Sequence, residues 1–176
     1  MDPSSTHHDR PVYLSLGSNL GDRMAHLIGT VSLISRRVGP IVLASPVFQS
    51  PPWGYKSSNA YYNACIEVDS AMEPQALMRS LLAIERELGR KRSGAGYSDR
   101  NIDIDLLFYG TEVISEPGLQ VPHPRILSRR FVLQPLAEIA PGFVHPVEGK
   151  TIVELLRSCP DQQLPERLSH LCFDLS

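Results

Sequence analysis

Two periods run through the apolar positions of this 176-residue chain. Pro11-Val12-Tyr13-Leu14-Ser15-Leu16 alternates at the two-residue step of a strand, ended by Gly17. Leu27, Val31 and Ile34, with Ile28 beside them, then recur at helical steps. Ser18 or Asn19 is the expected cap of that helix, Asp22 falls in its first turn, and Gly39-Pro40 stops it. Ile41 to Ser50 reads as a second strand interrupted at Pro46. In Tyr61 to Asp69, a third strand, Tyr62, Ala64, Ile66 and Val68 share one face and Asn63 takes the other. Pro74 opens a second helix at a favoured first-turn position, with Leu77, Leu81, Ile84 and Leu88 as its stripe and Gly89 as its end. Last comes a strand in which Ile102, Ile104 and Leu106 alternate with Asp103 and Asp105 before Leu107-Phe108-Tyr109.

The order β-α-β-β-α-β is that of the split βαβ unit. The predicted class is therefore α+β: a ferredoxin-like βαββαβ core with an additional hairpin strand at Glu112 to Ile114 and C-terminal helices over Ser128 to Ile139 and Thr151 to Cys159. Residues 1–10 read as a disordered N-terminal tail, 11–159 as a single domain and 160–176 as a loosely attached C-terminal tail.

Composition narrows the setting. A net charge of −2 gives no sign of a general nucleic-acid or membrane-binding surface, although Arg86 to Arg100 is locally basic. Cys65, Cys159 and Cys172 are odd in number and widely spaced, with no zinc or redox pattern, which favours a reducing cytoplasm. Met1 to Arg10 carries no apolar signal region, and no run is long enough to span a bilayer.

The chemistry concentrates on the last strand. Asp103 and Asp105 leave one face with Cα atoms roughly 6–7 Å apart, and such carboxylates can share two Mg²⁺ ions about 3.5–4 Å apart. A bare D-x-D on an amphipathic strand is more often a solvated face. Against that, like charges side by side repel, and the run into Leu106-Leu107-Phe108-Tyr109 is that of a buried central strand. The turn Gly17 to Gly21 can receive an anion or simply join strand to helix. Pro51-Pro52-Trp53-Gly54 makes either a rigid pocket wall with a stacking surface or a surface loop pinned by Trp53. Asn63 offers a donor and an acceptor to a heterocycle edge or to solvent. Glu85 serves a ligand or a helix-face ion pair. His123, held between prolines, touches a phosphate or is structural, and Arg129-Arg130-Phe131 is by default surface charge.

Taken in order, these segments resemble the 6-hydroxymethyl-7,8-dihydropterin pyrophosphokinase family of the folate pathway. The matching pieces are Leu16 to Asp22, Ser50 to Gly54, Tyr61-Tyr62-Asn63-Ala64, Ile84 to Arg90, Asp99 to Asp105 and Val121 to Arg125. The resemblance implies transfer of the β,γ-diphosphate of ATP to the pterin hydroxymethyl oxygen, with release of AMP. It implies Asp103 and Asp105 as ligands of two Mg²⁺ ions, acting with Arg90 and Arg100 in catalysis. Pro52, Trp53, Gly54, Tyr61, Asn63 and Phe131 would hold the pterin, and Glu85, Arg92, His123 and Arg129 the ATP. A lid would run from Arg90 to Asp99. There the chain departs from the family, with Gly96-Tyr97-Ser98-Asp99 in place of the common Arg-Trp-Gly-Pro, and Pro124 stands where some members carry an aromatic residue. The expected partners are the two small-molecule substrates alone, with no nucleic acid and no membrane, and the expected state is a cytoplasmic monomer whose length leaves no room for a fused enzyme domain. A ferredoxin-like RNA-binding sheet would want a basic, aromatic face in place of the acidic pair. A two-metal nuclease would leave the Pro-Pro-Trp loop and Asn63 unexplained.

Overall fold

The computed structural model describes residues 10–89 and 98–175. Strand β1 (Val12–Ser18) runs past Gly17, because Gly17 and Ser18 still pair across the sheet. Helix α1 (Arg23–Arg37) is capped by Asp22, whose side chain accepts from the Ala25 N–H. The expected caps, Ser18 and Asn19, are buried upstream of the helix. Leu27, Val31, Leu33 and Ile34 form the buried stripe, whereas Ile28 faces solvent.

The chain breaks at Pro46 into β2 (Ile41–Ala44) and β3 (Phe48–Ser50), and both pair with β4 (Tyr61–Val68). Helix α2 (Pro74–Glu87) has proline in its first turn and buries Leu77, Leu81 and Ile84. Strand β5 (Asp103–Tyr109) completes the order β5-β1-β4-β3, antiparallel throughout. That is the α+β ferredoxin-like arrangement the element order predicts.

Two expectations at the C-terminal side need correction. The extra strand is displaced to β6 (Ile114–Glu116), and with β7 (Leu119–Val121) it makes a separate two-stranded sheet. The segment after Pro160 is not loose. Its β8 (Glu166–Arg167) pairs with β3, the Leu168 N–H donates to the Val47 carbonyl at 2.9 Å, and Leu171 and Phe173 pack on the core. An open strand edge is a template for such pairing, and Leu164, Leu168, Leu171 and Leu175 recur at helical steps that give no sign of a strand. Likewise Arg10, expected in the N-terminal tail, lays its guanidinium 3.9 Å from the centre of the Tyr109 ring. Residues 1–9 lie outside the described residues.

Strand alternation gives the sheet two faces. Val12, Leu14, Leu16, Ile66, Val68, Ile104 and Leu106 seal one face against α1 and α2. On the other, Tyr13, Cys65, Leu107 and Phe108 meet α3 (Arg130–Ile139) and α4 (Ile152–Arg157), which starts from a Thr151–Glu154 capping box. Within β5 the pairing with β1 skips one residue: Leu14 faces Leu106 and Tyr13 faces Phe108. Leu107 is therefore a bulge.

Candidate active site

The second face changes character along the strands. Beside the aromatic row stands Cys65–Ser15–Asp105, and beyond it Asn63–Gly17–Asp103. Directly paired residues project to the same side of an antiparallel sheet, so register alone gathers Ser15, Asn63, Asp103 and Asp105. The helices do not seal this end. Instead a cleft opens, lined by those four residues with Ser50, Pro51, Trp53, Tyr55, Tyr61, Arg100, Arg129 and Phe131. Gly17 keeps its floor low, since a Cβ there would sit 3.3 Å from Asn63 Oδ1.

Trp53 and Phe131 face each other across the cleft, centroids 6.4 Å apart and planes tilted by 53°. Alternate residues of the wall loop, Pro51, Trp53 and Tyr55, point inward. Pro52 and Gly54, expected at the pterin, do not line the cleft; Gly54 has φ 80° and supplies the turn that brings Tyr55 round. Asn63 is buried, and its Nδ2 donates to Ser50 Oγ at 2.7 Å, which orients the amide.

Each carboxylate has cationic neighbours. Arg100 Nη1 lies 3.2 Å from Asp103 Oδ2. Although burial opposes its charge, the Asp103 carboxylate holds the Arg100 pKa above its ordinary value. Arg129 Nη1 lies 3.4 Å from Asp105 Oδ2, with its guanidinium 5.1 Å from the Trp53 ring centre. Arg129 is buried rather than surface charge. His123 Nε2 approaches Asp105 Oδ1 at 3.8 Å. Its Nδ1 accepts from the Arg125 N–H at 3.1 Å, which leaves the ring proton on Nε2. Burial, then the Arg129 charge, lower the His123 pKa to about 4. His123 therefore offers a neutral N–H at pH 7.

A second cleft lies on the other side of Asp105, lined among others by Met78, Ile104, Leu106, Leu119 and His123. Asp105 lines both clefts. Glu85, expected at the nucleotide, belongs to neither: it is 1% exposed, and its Oε1 accepts from the Ile104 N–H at 2.8 Å. That bond braces β5 between the two aspartates. Arg90, Arg92, Gly96, Tyr97 and most of the expected lid lie outside the described residues. Sequence reasoning missed Ser15, Ser50 and Tyr55. Ser15 had a signal, a hydroxyl in a central strand on the face opposite Leu14 and Leu16.

Asp103 and Asp105 suit a hard divalent cation. Among the described residues no group of three or more His, Cys, Asp or Glu side chains gathers to hold a metal. Two carboxylates open to a cleft are what Mg²⁺ uses when substrate phosphates complete its shell.

Fold and site thus define a class: a ferredoxin-like α+β protein with two clefts on one sheet and a carboxylate where they meet. Residues 13–141 match the family described as 7,8-dihydro-6-hydroxymethylpterin-pyrophosphokinase (HPPK), and the chain belongs to that family of pyrophosphokinases of folate biosynthesis. It is 42% identical over 138 residues to a 2-amino-4-hydroxy-6-hydroxymethyldihydropteridine pyrophosphokinase of Porphyromonas gingivalis, covering 77% of this chain and 93% of the relative. It is 37% identical over 160 residues to a folic acid synthesis protein of Pneumocystis carinii, covering 91% of this chain but only 22% of that protein. Wild-type HPPK-DHPS of Plasmodium falciparum superposes with a TM-score of 0.70 at 15% identity, over 85% of this chain and 44% of that one. At that identity the likeness concerns the fold, and this chain spans about a fifth of the Pneumocystis carinii protein and under half of the Plasmodium falciparum one.

Proposed function

We propose that this chain transfers the β,γ-diphosphate of ATP to the hydroxymethyl group of 6-hydroxymethyl-7,8-dihydropterin. The pterin hydroxyl oxygen bonds to Pβ, the bond from Pβ to the oxygen bridging Pα breaks, AMP leaves with that oxygen, and the hydroxyl proton passes to solvent. The observation that carries this reading is the position of Asp105, which lines the aromatic cleft and the second cleft at once. The first cleft suits a flat heterocycle between Trp53, Tyr61 and Phe131, with Asn63 and Ser15 on its polar edge. The second takes the nucleotide.

Asp103 and Asp105 would hold Mg²⁺, which supplies charge neutralisation and Lewis-acid polarisation of the phosphates when bound. Arg100 and Arg129 lie where negative charge gathers in such a transfer, and the His123 N–H donates without adding charge. Alignment of two bound substrates does much of the remaining work. Among the described residues no helix is long and apolar enough to cross a membrane, and the reading is of a cytoplasmic monomer.

The test is product analysis after incubation with ATP, Mg²⁺ and the pterin alcohol. AMP appearing in step with a diphosphorylated pterin is expected. ADP, or no turnover by folded protein, would refute the assignment.

A further inference from the structure

The wall loop that carries Trp53 and Tyr55, residues 51–60, has no helix or strand of its own. Asn19 Nδ2 donates to the Asn59 carbonyl at 3.2 Å and Arg23 Nη1 to the Ala60 carbonyl at 2.8 Å, but the loop's own polar side chains converge on one carboxylate. Asp99 Oδ1 accepts from Tyr55 Oη at 3.0 Å and Asn19 Nδ2 at 2.8 Å. Its Oδ2 accepts from Ser57 Oγ at 2.9 Å and Asn59 Nδ2 at 2.6 Å. Four donors fill the acceptor capacity of one carboxylate. Three come from the wall loop and one from the turn after β1.

Asn19 completes the tie from the other side. Its Oδ1 accepts from the Arg100 N–H at 2.8 Å, and its own N–H donates to the Arg100 carbonyl at 3.2 Å. The hub thus joins the wall loop and the β1–α1 turn to the lead-in of β5, next to the Arg100 that pairs with Asp103. Burial works against the Asp99 charge, but hydrogen bonds from Ser57, Asn19, Asn59 and Tyr55 hold its pKa below the usual carboxylate value. An anion accepts only, so Tyr55 gives its proton to Asp99. The 2.8 Å contact between Tyr55 and Tyr61 then runs from the Tyr61 O–H to the Tyr55 oxygen. Asp99 thus orients Tyr55 directly and Tyr61 through it, the Tyr61 hydroxyl also reaching the Ser98 carbonyl at 3.4 Å.

We propose that Asp99 is a positioning residue for the acceptor substrate: its carboxylate latches the pocket wall, with Trp53, Tyr55 and Tyr61, at a set distance from the strand that carries Asp103 and Asp105. The inference rests on the reading above that this cleft takes the pterin. An asparagine there would weaken the latch, because in either orientation its NH₂ would meet an obligate donor, Asn59 Nδ2 or Asn19 Nδ2.

The test compares Asp99→Asn with the unaltered full chain by steady-state kinetics in both substrates. The pterin KM should rise about tenfold or more, equivalent to about 1.4 kcal/mol per tenfold. The KM for ATP should stay within about twofold. Trp53 is the single tryptophan of the chain, so its emission reads the wall without any substrate, and acrylamide should quench it more strongly in the variant. Asp99→Glu should recover part of both effects. Should Asp99→Asn fail to fold, the double variant Ser57→Ala with Asn59→Ala removes two of the donors and should move both readouts the same way by a smaller factor. A pterin KM unchanged in the folded variant, or raised in parallel with that for ATP, overturns the latch. If no variant, nor the unaltered chain, makes AMP, the substrate reading fails and the quenching result alone decides the latch: unchanged quenching overturns it.

Discussion

The face of the sheet beneath α1 and α2 and the face beneath α3 and α4 are built by the same strands, yet they do different work. On the first, the positions of β1, β4 and β5 that point inward are mostly apolar, with buried Ser18 at the end of β1, and α1 and α2 cover most of them, Ile104 and Leu106 also lining the second cleft. On the second, the apolar cover stops at Tyr13, Cys65 and Leu107, and the rows beyond hold Ser15, Asn63, Asp103 and Asp105. Because alternate residues face opposite ways, one strand carries two sequences that can be selected apart. The sealed face supplies stability, and this lets the other keep a cluster of polar groups that contributes little to packing. Glu85 reaches across the division from the sealed side, its buried carboxylate bracing the Ile104 N–H between the two aspartates.

The sharpest way to break the comparison is to alter one face and read both properties. Asp103→Asn or Asp105→Asn should lower AMP formation by about a thousandfold or more, with thermal unfolding little changed; retained turnover would remove the carboxylates from the chemistry. Leu81→Ala, on α2 against the sealed face, should do the reverse. It should cost about 2–5 kcal/mol in denaturant unfolding while kcat and both KM values hold at temperatures where the chain stays folded. A kinetic defect equal to that of the aspartate variants would show that the faces are not separable.

The smallest effect concerns pH. His145 is buried against Phe108 on the second face, and its Nδ1 accepts from the N–H groups of Val147 and Glu148. Burial lowers its pKa from the ordinary value, against the opposing pull of Glu148. The unfolded chain therefore takes up a proton before the folded chain does. By linkage the His145 contribution is whole above about pH 6.5 and declines as pH falls below it. Unfolding midpoints at pH 7.5 and 5.5 should differ less in His145→Asn than in the unaltered chain, and an equal difference would discount the histidine.

Much of this was legible in the sequence, and the reason differs from residue to residue. Asp103 and Asp105 could be read because strand period places them together without any knowledge of the rest. Trp53 and Asn63 were candidates from their own chemistry, Tyr61 and Phe131 came through the resemblance, and the structure brings all of them to one cleft. The bond from the Ile104 N–H to Glu85 was not legible, because a carboxylate beside an apolar stripe gives no sign of the backbone N–H it will meet. Asp99 stood at the edge of a matching segment and in a departure from the family pattern, with no role assigned. Its role depends on Asn19, Tyr55, Ser57 and Asn59, residues 40 to 80 positions away, and no local period encodes such a meeting. The strand β8 was invisible for a similar reason, since it exists only because β3 leaves an edge open.

Leu107 has a consequence for how this strand can change. Before it, odd-numbered residues Asp103 and Asp105 face the cleft; after it, even-numbered Phe108 takes that side. Tyr109 turns to the sealed core, where its hydroxyl donates to the Met72 carbonyl at 2.7 Å. The strand is thus written in two reading frames with the bulge as the shift between them. Deleting Leu107 itself would remove the bulge and leave both halves paired with β1 on their present faces, Leu106 opposite Leu14 and Phe108 opposite Tyr13. Paired changes on either side of Leu107 would leave the other frame intact, so the reactive half and the packing half of β5 are separate fields for mutation on one continuous ladder.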